Sequence, residues 1–351
     1  MDFWKDKKVF LTGHTGFKGS WLAFWLSSLG AAVCGYALDP EDSPNLFTVL
    51  DIESRVDSVI ADVRDLNRVQ SELERFEPDV VFHLAAQSLV RRSYRLPVET
   101  YETNLMGTVN VLEAIRSAES VKAAVIITTD KVYENEERPE PYREDEPLGG
   151  FDPYSSSKAC AEIASSAYRR SFFSDSECHV ATARAGNVIG GGDWSEDRLV
   201  PDIFRSLLDG ENLFIRNPDS VRPWQHVLEP LYGYLTLAKG LFEGNRSFAG
   251  AWNFGPSLQD SRTVAEVLDI VTANWPTEVG FTMPEQPQPH EAGFLALDSS
   301  KARKTLDWHP QLDLEKALEL TCEWYDAFGN EKDMSEVTAR QIEFYTNKQS
   351  S

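Results

Sequence analysis

Apolar residues along this chain fall into two rhythms that take turns. Val9, Phe10 and Leu11 form a short β-prone run, and residues 16–29 then carry their apolar positions at helical spacing. Residues 31–38 (AAVCGYAL), 58–63 (SVIADV), 79–86 (DVVFHLAA), 123–129 (AAVIITT) and 179–186 (HVATARAG) read as further strands, with helices over 45–56, 66–76, 100–118 and the stretch after Pro153. Short, strongly apolar strands alternating with helices predict an α/β fold, a doubly wound parallel sheet. Leu105, Val109, Leu112 and Ile115 form the stripe by which 100–118 packs. Beyond residue 186 the rhythm changes to Gly-rich loops, helices at 199–208, 227–241 and 263–275, and isolated strands at 212–217, 252–254 and 294–298. A Pro-rich connector spans 276–289, charged helices follow from 299, and the tail from 331 is expected to be an exposed final helix.

Composition narrows the field. With 351 residues the chain can bury a full core, as one large or two unequal lobes. A net charge of −22 argues against a nucleic-acid partner, which would need a basic stripe. Cys34, Cys160, Cys178 and Cys322 are scattered, without metal-ligand spacing, so neither a metal site nor disulfides are expected. No apolar run reaches the roughly 18 residues of a membrane span, and a cytoplasmic protein with no membrane partner is expected.

Chemistry enters where strands end. Gly13, Gly16 and Gly19 follow the first strand at spacing three: one for a tight turn, one for backbone approach to a pyrophosphate, one for helix packing. Asp39 ends the second strand, about 20 residues on, where a carboxylate accepts hydrogen bonds from ribose hydroxyls. The residues after it, Pro40, Glu41 and Asp42, include no Arg for a 2′-phosphate, which favours NAD over NADP. Asp62 either reaches an adenine edge or caps its own loop, and Asn104 either bridges backbone groups or faces solvent. The fifth strand delivers Thr128, Thr129, Asp130 and Lys131 to the carboxyl edge of the sheet, where such folds bind ligands. Tyr154 and Lys158, four apart on a helix, share a face, and a nearby cation would lower the phenol's pKa. Such a pair can take a hydroxyl proton while a nicotinamide takes the hydride.

These residues resemble the extended short-chain dehydrogenase/reductases, and within them the nucleotide-sugar 4,6-dehydratases. The likeness runs through TGHTGFKGSWL (12–22), HLAAQSLVR (83–91), TTDKVYEN (128–135), DPYSSSK (152–158), RAGNVIGGGDW (184–194) and RPWQHVLEPL (222–231). GNVIGGGDW followed by RPWQHVLEP is similar to the members that act on CDP-glucose. The resemblance implies a Rossmann domain over 1–186, completed by segments from about 227–262, and a mainly nucleotide-sugar-binding lobe over 187–351. It implies NAD contacts at Gly13, Thr15, Gly16, Phe17, Lys18, Gly19, Asp39, Asp62, Val63, Leu84, Ala85, Ala86, Asn104, Thr128, Tyr154 and Lys158. Substrate contacts are implied at Gln87, Asn187, Arg198, Leu199, Asn217, Arg222 and His290, and a homodimer or homotetramer is expected.

The implied reaction is an internal redox cycle that oxidises C4 of CDP-glucose, removes water across C5 and C6, and returns the hydride to C6. Tyr154 would act as base at the C4 hydroxyl, Lys158 would hold the ribose and the phenolate, and Thr129 would hydrogen-bond the C4 oxygen. Asp130 would act as acid at the C6 hydroxyl. Lys131 stands where dTDP-glucose dehydratases carry Glu; it takes the C5 proton if desolvation or neighbouring cations strip its own, or else stabilises the enolate while another group takes that proton. Two features depart from the family pattern: EERPEPYRE after Asn135 lacks a tryptophan-rich stretch, and Phe294 replaces a tyrosine. The rivals are a C4-epimerase on the same scaffold, a dehydratase of another nucleotide sugar, a general dehydrogenase, and a catalytically silent NAD sensor.

Overall fold

The computed structural model describes residues 2–41, 43–210, 213–215, 218–275, 281–282 and 294–349. Apart from the run at 58–63, each apolar run of the first half becomes a strand whose side chains alternate between two cores. Val9, Leu11, Val80, Phe82, Val125 and Ile127 enter one, and Phe10, Val81, Ala124 and Ile126 the other. Burial on both faces is why these runs lack polar alternation. The strands are β1 (Lys8–Thr12), β2 (Ala32–Ala37), β3 (Asp57–Ile60), β4 (Val80–His83), β5 (Ala123–Ile127), β6 (His179–Arg184) and β7 (Ala251–Asn253). They form one parallel sheet in the order β7-β6-β5-β4-β1-β2-β3. Strand order reverses between β1 and β4, so their carboxyl ends open the crevice in which such sheets bind ligands.

Helices cover both faces. Residues of α1 (Phe17–Ser28) lie in the first core, and those of α2 (Leu66–Phe76) and α3 (Gly107–Ser117) in the second. The long α4 (Pro153–Ser171) follows β5, α5 (Leu199–Asp209) follows the Gly-rich segment, and α6 (Leu228–Phe242) precedes β7. Two further helices, α7 (Leu314–Gly329) and α8 (Met334–Gln349), join the first core.

Several boundaries differ from the sequence reading. Residues 45–56 give only a short helix, Leu46–Val49, and a 3₁₀ turn, Ile52–Ser54. The helix expected over 100–118 starts earlier, at Pro97–Tyr101, and passes through a π-helical turn, Glu102–Met106, before α3. The segment 294–298 forms a single bridge, Tyr142 to Leu297, rather than a strand. Among the described residues of the expected 212–217 strand, Leu213–Phe214 pair, while Asn217 and His290 lie outside the described residues.

The last helix is not an exposed tail. Tyr345 is fully buried and donates to Glu229 Oε2 at 2.7 Å, while Glu229 Oε1 accepts the Gln311 and Leu312 N–H groups at 2.8 and 2.7 Å. Burial pushes the Glu229 carboxyl up to about 7, against those hydrogen bonds. A raised folded-state pKa means the folded chain holds one proton more than the unfolded chain between about 4.5 and 7. This group therefore adds stability as pH falls through that window and withdraws it as pH rises, by up to about 3 kcal/mol. Gln at 229 keeps the acceptor for the two N–H groups without a charge. Unfolding midpoints of Glu229→Gln between pH 5 and 8 are expected to vary less than those of the parent, and equal slopes would contradict this assignment.

Candidate active site

The glycine turn is built by two steric demands and one open helix end. Gly13 has φ +79°, and a Cβ there would sit 2.7 Å from Ala85 N, so β1 and the loop after β4 close on each other only without a side chain. A Cβ on Gly19 would lie 1.9 Å from Gly13 O, which fixes how closely α1 packs against the turn. Gly16 is the N-cap of α1 and offers no side-chain acceptor, so the first-turn amides remain available to an anion. Thr15 Oγ1 donates to Leu38 O at 2.9 Å, and this tie brings the end of β2, with exposed Asp39, beside the turn. A cradle with no room for Cβ atoms, uncapped amides and an exposed carboxylate at the strand end fit a dinucleotide.

Arg92 reaches the Asp39 end of the sheet from the helix Val90–Arg95, a neighbour that local sequence did not reveal. It is paired with Glu41 and, at 3.0 Å, with Glu99. Both Asp62 oxygens bind Arg64, one accepting its N–H at 2.9 Å and the other its Nε at 2.8 Å, so Asp62 caps its loop. Val63 is buried, and its carbonyl accepts Asn110 Nδ2 at 3.0 Å.

A buried chain of hydrogen bonds holds the loop after β4. Thr12 Oγ1 accepts the Leu84 and Ala85 N–H groups, both at 3.1 Å, so its own proton points to His83 Nδ1, 2.8 Å away. His83 Nε2 then donates to Thr108 Oγ1 at 3.1 Å, and Thr108 donates to Asn104 O at 2.6 Å. Burial, with the Lys158 charge, pushes the His83 imidazole down to about 3, so it is neutral, as this arrangement requires.

Asn104, fully buried in the π-helical turn, accepts Gln87 N–H at 2.8 Å and donates to Gln87 O and Ser157 Oγ, both at 2.9 Å. It bridges backbone groups and fastens α4 to the loop. π turns commonly mark functional positions, here by aiming one amide at two elements. Gln87 spends its side chain on Leu89 and Thr100 and so shapes the loop instead of facing the cleft.

Around this frame lies a cleft of about 300 Å³. Phe17, Lys18, Thr129, Asp130, Lys131 and Tyr154 line it from the sheet side, and Asn187, Arg198, Leu199 and Arg222 from the second half. A larger cavity elsewhere contains none of these residues. Asp130 is 3 % exposed; Oδ1 accepts Thr129 Oγ1 at 2.8 Å and Oδ2 accepts Asn187 Nδ2 at 3.4 Å. A Cβ on Gly186 would fall 1.9 Å from Asp130 Oδ2, which is why β6 runs into glycine there.

Tyr154 stands one residue inside α4, whose N-cap Asp152 accepts Ser155 N–H at 2.9 Å. It is buried and hydrogen-bonded with Thr129. Burial raises its phenol to about 12, against the Thr129 bond and the Arg198 charge. The expectation of a phenol lowered by Lys158 is corrected here: Lys158 Nζ donates to Ile127 O at 2.9 Å, and desolvation outweighs the cations. Burial, then the Lys18 charge, brings the Lys158 amine down to about 7. Burial and Arg198 bring Lys18 to about 8, while Asp130 and Asp193 oppose the shift. The Lys131 side chain is exposed, whereas service as a base requires a desolvated amine.

Four contributors carried no local signal. Asp193 binds Arg198 Nη1 at 3.1 Å, and Ser88 accepts from Arg198 Nη2 at 3.0 Å, so together they aim this guanidinium into the cleft. Glu162, one turn beyond Lys158, accepts Thr128 Oγ1 at 2.6 Å and ion-pairs with Arg184 at 2.9 Å. Gln225, inside RPWQHVLEP, donates to the Gly186 and Phe254 carbonyls and so holds the Asp130 side of the cleft. Arg205 is bound to Asp202 and the Trp194 carbonyl, a structural role.

A sequence profile of the GDP-mannose 4,6 dehydratase family matches residues 10–321. The chain is 48% identical over 349 residues to a CDP-glucose 4,6-dehydratase of Salmonella typhimurium, covering 98% of this chain and 97% of that protein. Its fold is similar to DesIV, a dTDP-glucose 4,6-dehydratase from Streptomyces venezuelae with NAD and TYD bound, with TM-score 0.79 and 24% identity over 93% of this chain and 99% of that one. A UDP-glucose-4-epimerase from Stenotrophomonas maltophila with NAD is similar in fold at TM-score 0.80 and 21% identity, again over 93% and 99%. The glycine turn at the sheet's switch point, the Tyr154 and Lys158 face of α4 and a profile match over most of the chain converge, and the chain belongs to the GDP-mannose 4,6 dehydratase family.

Proposed function

We propose that this chain converts CDP-D-glucose to CDP-4-dehydro-6-deoxy-D-glucose, with NAD held across the carboxyl ends of β1 and β4. The observation that carries the reading is the meeting of Tyr154, Thr129 and buried Asp130 in one cleft. An epimerase needs no acid at C6, and the 48% identical relative is named a dehydratase.

Bound NAD⁺ supplies the hydride acceptor and a cationic ring whose charge favours the Tyr154 phenolate. Tyr154 accepts the proton of the C4 hydroxyl, and Thr129 hydrogen-bonds the same oxygen. Lys158 takes the ribose hydroxyls in exchange for its bond to Ile127 O. Asp130 gives a proton to the C6 hydroxyl as it leaves. The C5 proton leaves to water in the cleft and is replaced as hydride returns to C6, and the exposure of Lys131 favours its stabilising the enolate's negative charge over its taking that proton directly. Arg198 and Arg222 pair with the diphosphate, a role guanidinium groups suit.

Residues 187–351 serve mainly as the substrate lobe. The four free cysteines suit a reducing cytoplasm, and no helix among the described residues is long and apolar enough to cross a membrane. Exposed Val98, Met106, Ile163 and Phe172, on the 97–117 stretch and at α4, support a homo-oligomer.

Incubation with a panel of NDP-glucoses tests the reading. CDP-glucose is expected to give a 4-keto-6-deoxy product without added NADH. A C4 epimer, stoichiometric NADH release or no turnover would each point to one of the rival activities.

A further inference from the structure

The larger cavity, about 670 Å³, lies at the other end of α4 and shares none of its lining with the catalytic cleft. The helix serves both: its first turns carry Tyr154 and Lys158, and Glu162, Ser166 and Arg169, at spacings of four and three, line the second cavity. Arg143, Arg184, Arg170 and Lys301 bring the lining to five cations against five carboxylates, of which Glu146 and Asp298 pair with Arg138 and Arg303 outside it. Arg184 is neutralised by Glu162 and Arg143 by Asp145. Arg169, Arg170 and Lys301 form no ion pair among the described residues, and the buried Nη1 of Arg169 has no hydrogen-bond partner.

This arrangement costs free energy in the folded chain. Burial, with Arg170 and Arg184 nearby, lowers the Arg169 pKa against the Glu162 charge, and burial with Arg169 and Arg184 lowers that of Lys301 against the Glu144 charge. Among the described residues, Lys301 Nζ donates to Ala251 O at 2.6 Å and lies over the face of Trp252. Like charges brought together with an unsatisfied guanidinium nitrogen are a receptor for a dianion. The volume exceeds an inorganic anion and falls within the roughly 300–1,000 Å³ of small-molecule sites. Glu144 and Asp298 add carboxylate acceptors for hydroxyl groups, and no aromatic ring lines the cavity among the described residues, so nothing there would stack a base.

We propose that this cavity is a second ligand site, separate from the catalytic cleft, that takes a sugar phosphate: the phosphoryl group on Arg169 and Lys301, the hydroxyls on Glu144 and Asp298. Arg184 and Glu162 stand in the wall between it and Lys158, so its occupant sits one ion pair from the catalytic helix face.

Calorimetric titration of NAD-loaded, CDP-saturated enzyme with glucose 6-phosphate tests this. One binding event per chain is expected, weakened tenfold or more in Arg169→Met and in Lys301→Met and partly restored in Arg169→Lys. Glucose should give no signal, and inorganic phosphate should bind at least tenfold more weakly. Arg169→Met removes an uncompensated cation, so its unfolding midpoint should match or exceed the parent's, and its turnover without sugar phosphate should be unchanged. Absence of glucose 6-phosphate binding, or equal binding in both Met variants, would overturn the site. Inorganic phosphate binding as tightly would overturn the sugar-phosphate assignment. Failure of CDP to bind counts only against the proposed reaction, because the titration can be read in NAD-loaded enzyme through the same two variants.

Discussion

Tyr154→Phe is expected to lower kcat by about 10²–10⁴-fold, the usual contribution of a positioned acid or base. The substitution removes one oxygen from a side chain packed under Thr129 and leaves the ring volume unchanged, so the fold and the glycine turn should be unaffected. NAD affinity should stay close to that of the parent, because the Gly13 cradle and the Gly16 amides lie on other elements. Burial, helped by the Asp130 and Asp152 charges, holds this phenol at about 12, so ionisation depends on positive charge arriving beside it. The loss should therefore appear in kcat with little change in NAD binding. Steady-state rates with binding measured in parallel check this, and a parental rate would remove Tyr154 from the chemistry.

Asp130→Asn should separate the two halves of the reaction. Asn retains the shape that Gly186 accommodates and an oxygen for the Thr129 hydroxyl, but it has no proton to give a leaving hydroxyl. Oxidation at C4 relies on Tyr154 and should persist, while loss of water should slow by about 10²–10⁴-fold. In a single turnover the reduced cofactor should accumulate where the parent shows only a transient. Product formation at the parental rate, with no accumulation, would show that the C6 hydroxyl leaves without Asp130.

Much of this architecture is legible in sequence because it rests on local rules. A run apolar at every position is a strand buried on both faces, and β1 and β5 obey that rule within two residues, while β4 ends three residues early. The glycine triplet announces itself because Gly13 and Gly19 have no space for a Cβ, a demand that leaves a mark at each position. Tyr154 and Lys158 share a face for the same helical reason that made them visible.

What sequence does not show depends on distant partners. His83 reads as one more strand residue, yet it links Thr12 to Thr108 across positions far apart in the chain. Asn104 reads as a polar residue in an amphipathic helix, and only the π turn reveals which groups it joins. Helical spacing misleads about the Tyr154 pKa because it states which charge is near but not how dry the site is. The final helix looked exposed because its charges dominate the pattern, whereas Tyr345 finds a buried partner in Glu229.

The central claim is that one site takes a hydride from C4 of the sugar and returns it to C6 of the same molecule. CDP-glucose carrying deuterium at C4 tests it most directly, in a mixture with unlabelled substrate carrying a different isotope elsewhere in the glucose ring. The account predicts deuterium at C6 of the 4-keto product, confined to molecules that began with the C4 label. Loss of deuterium to solvent, its return to C4, or its spread to the other substrate population would contradict it.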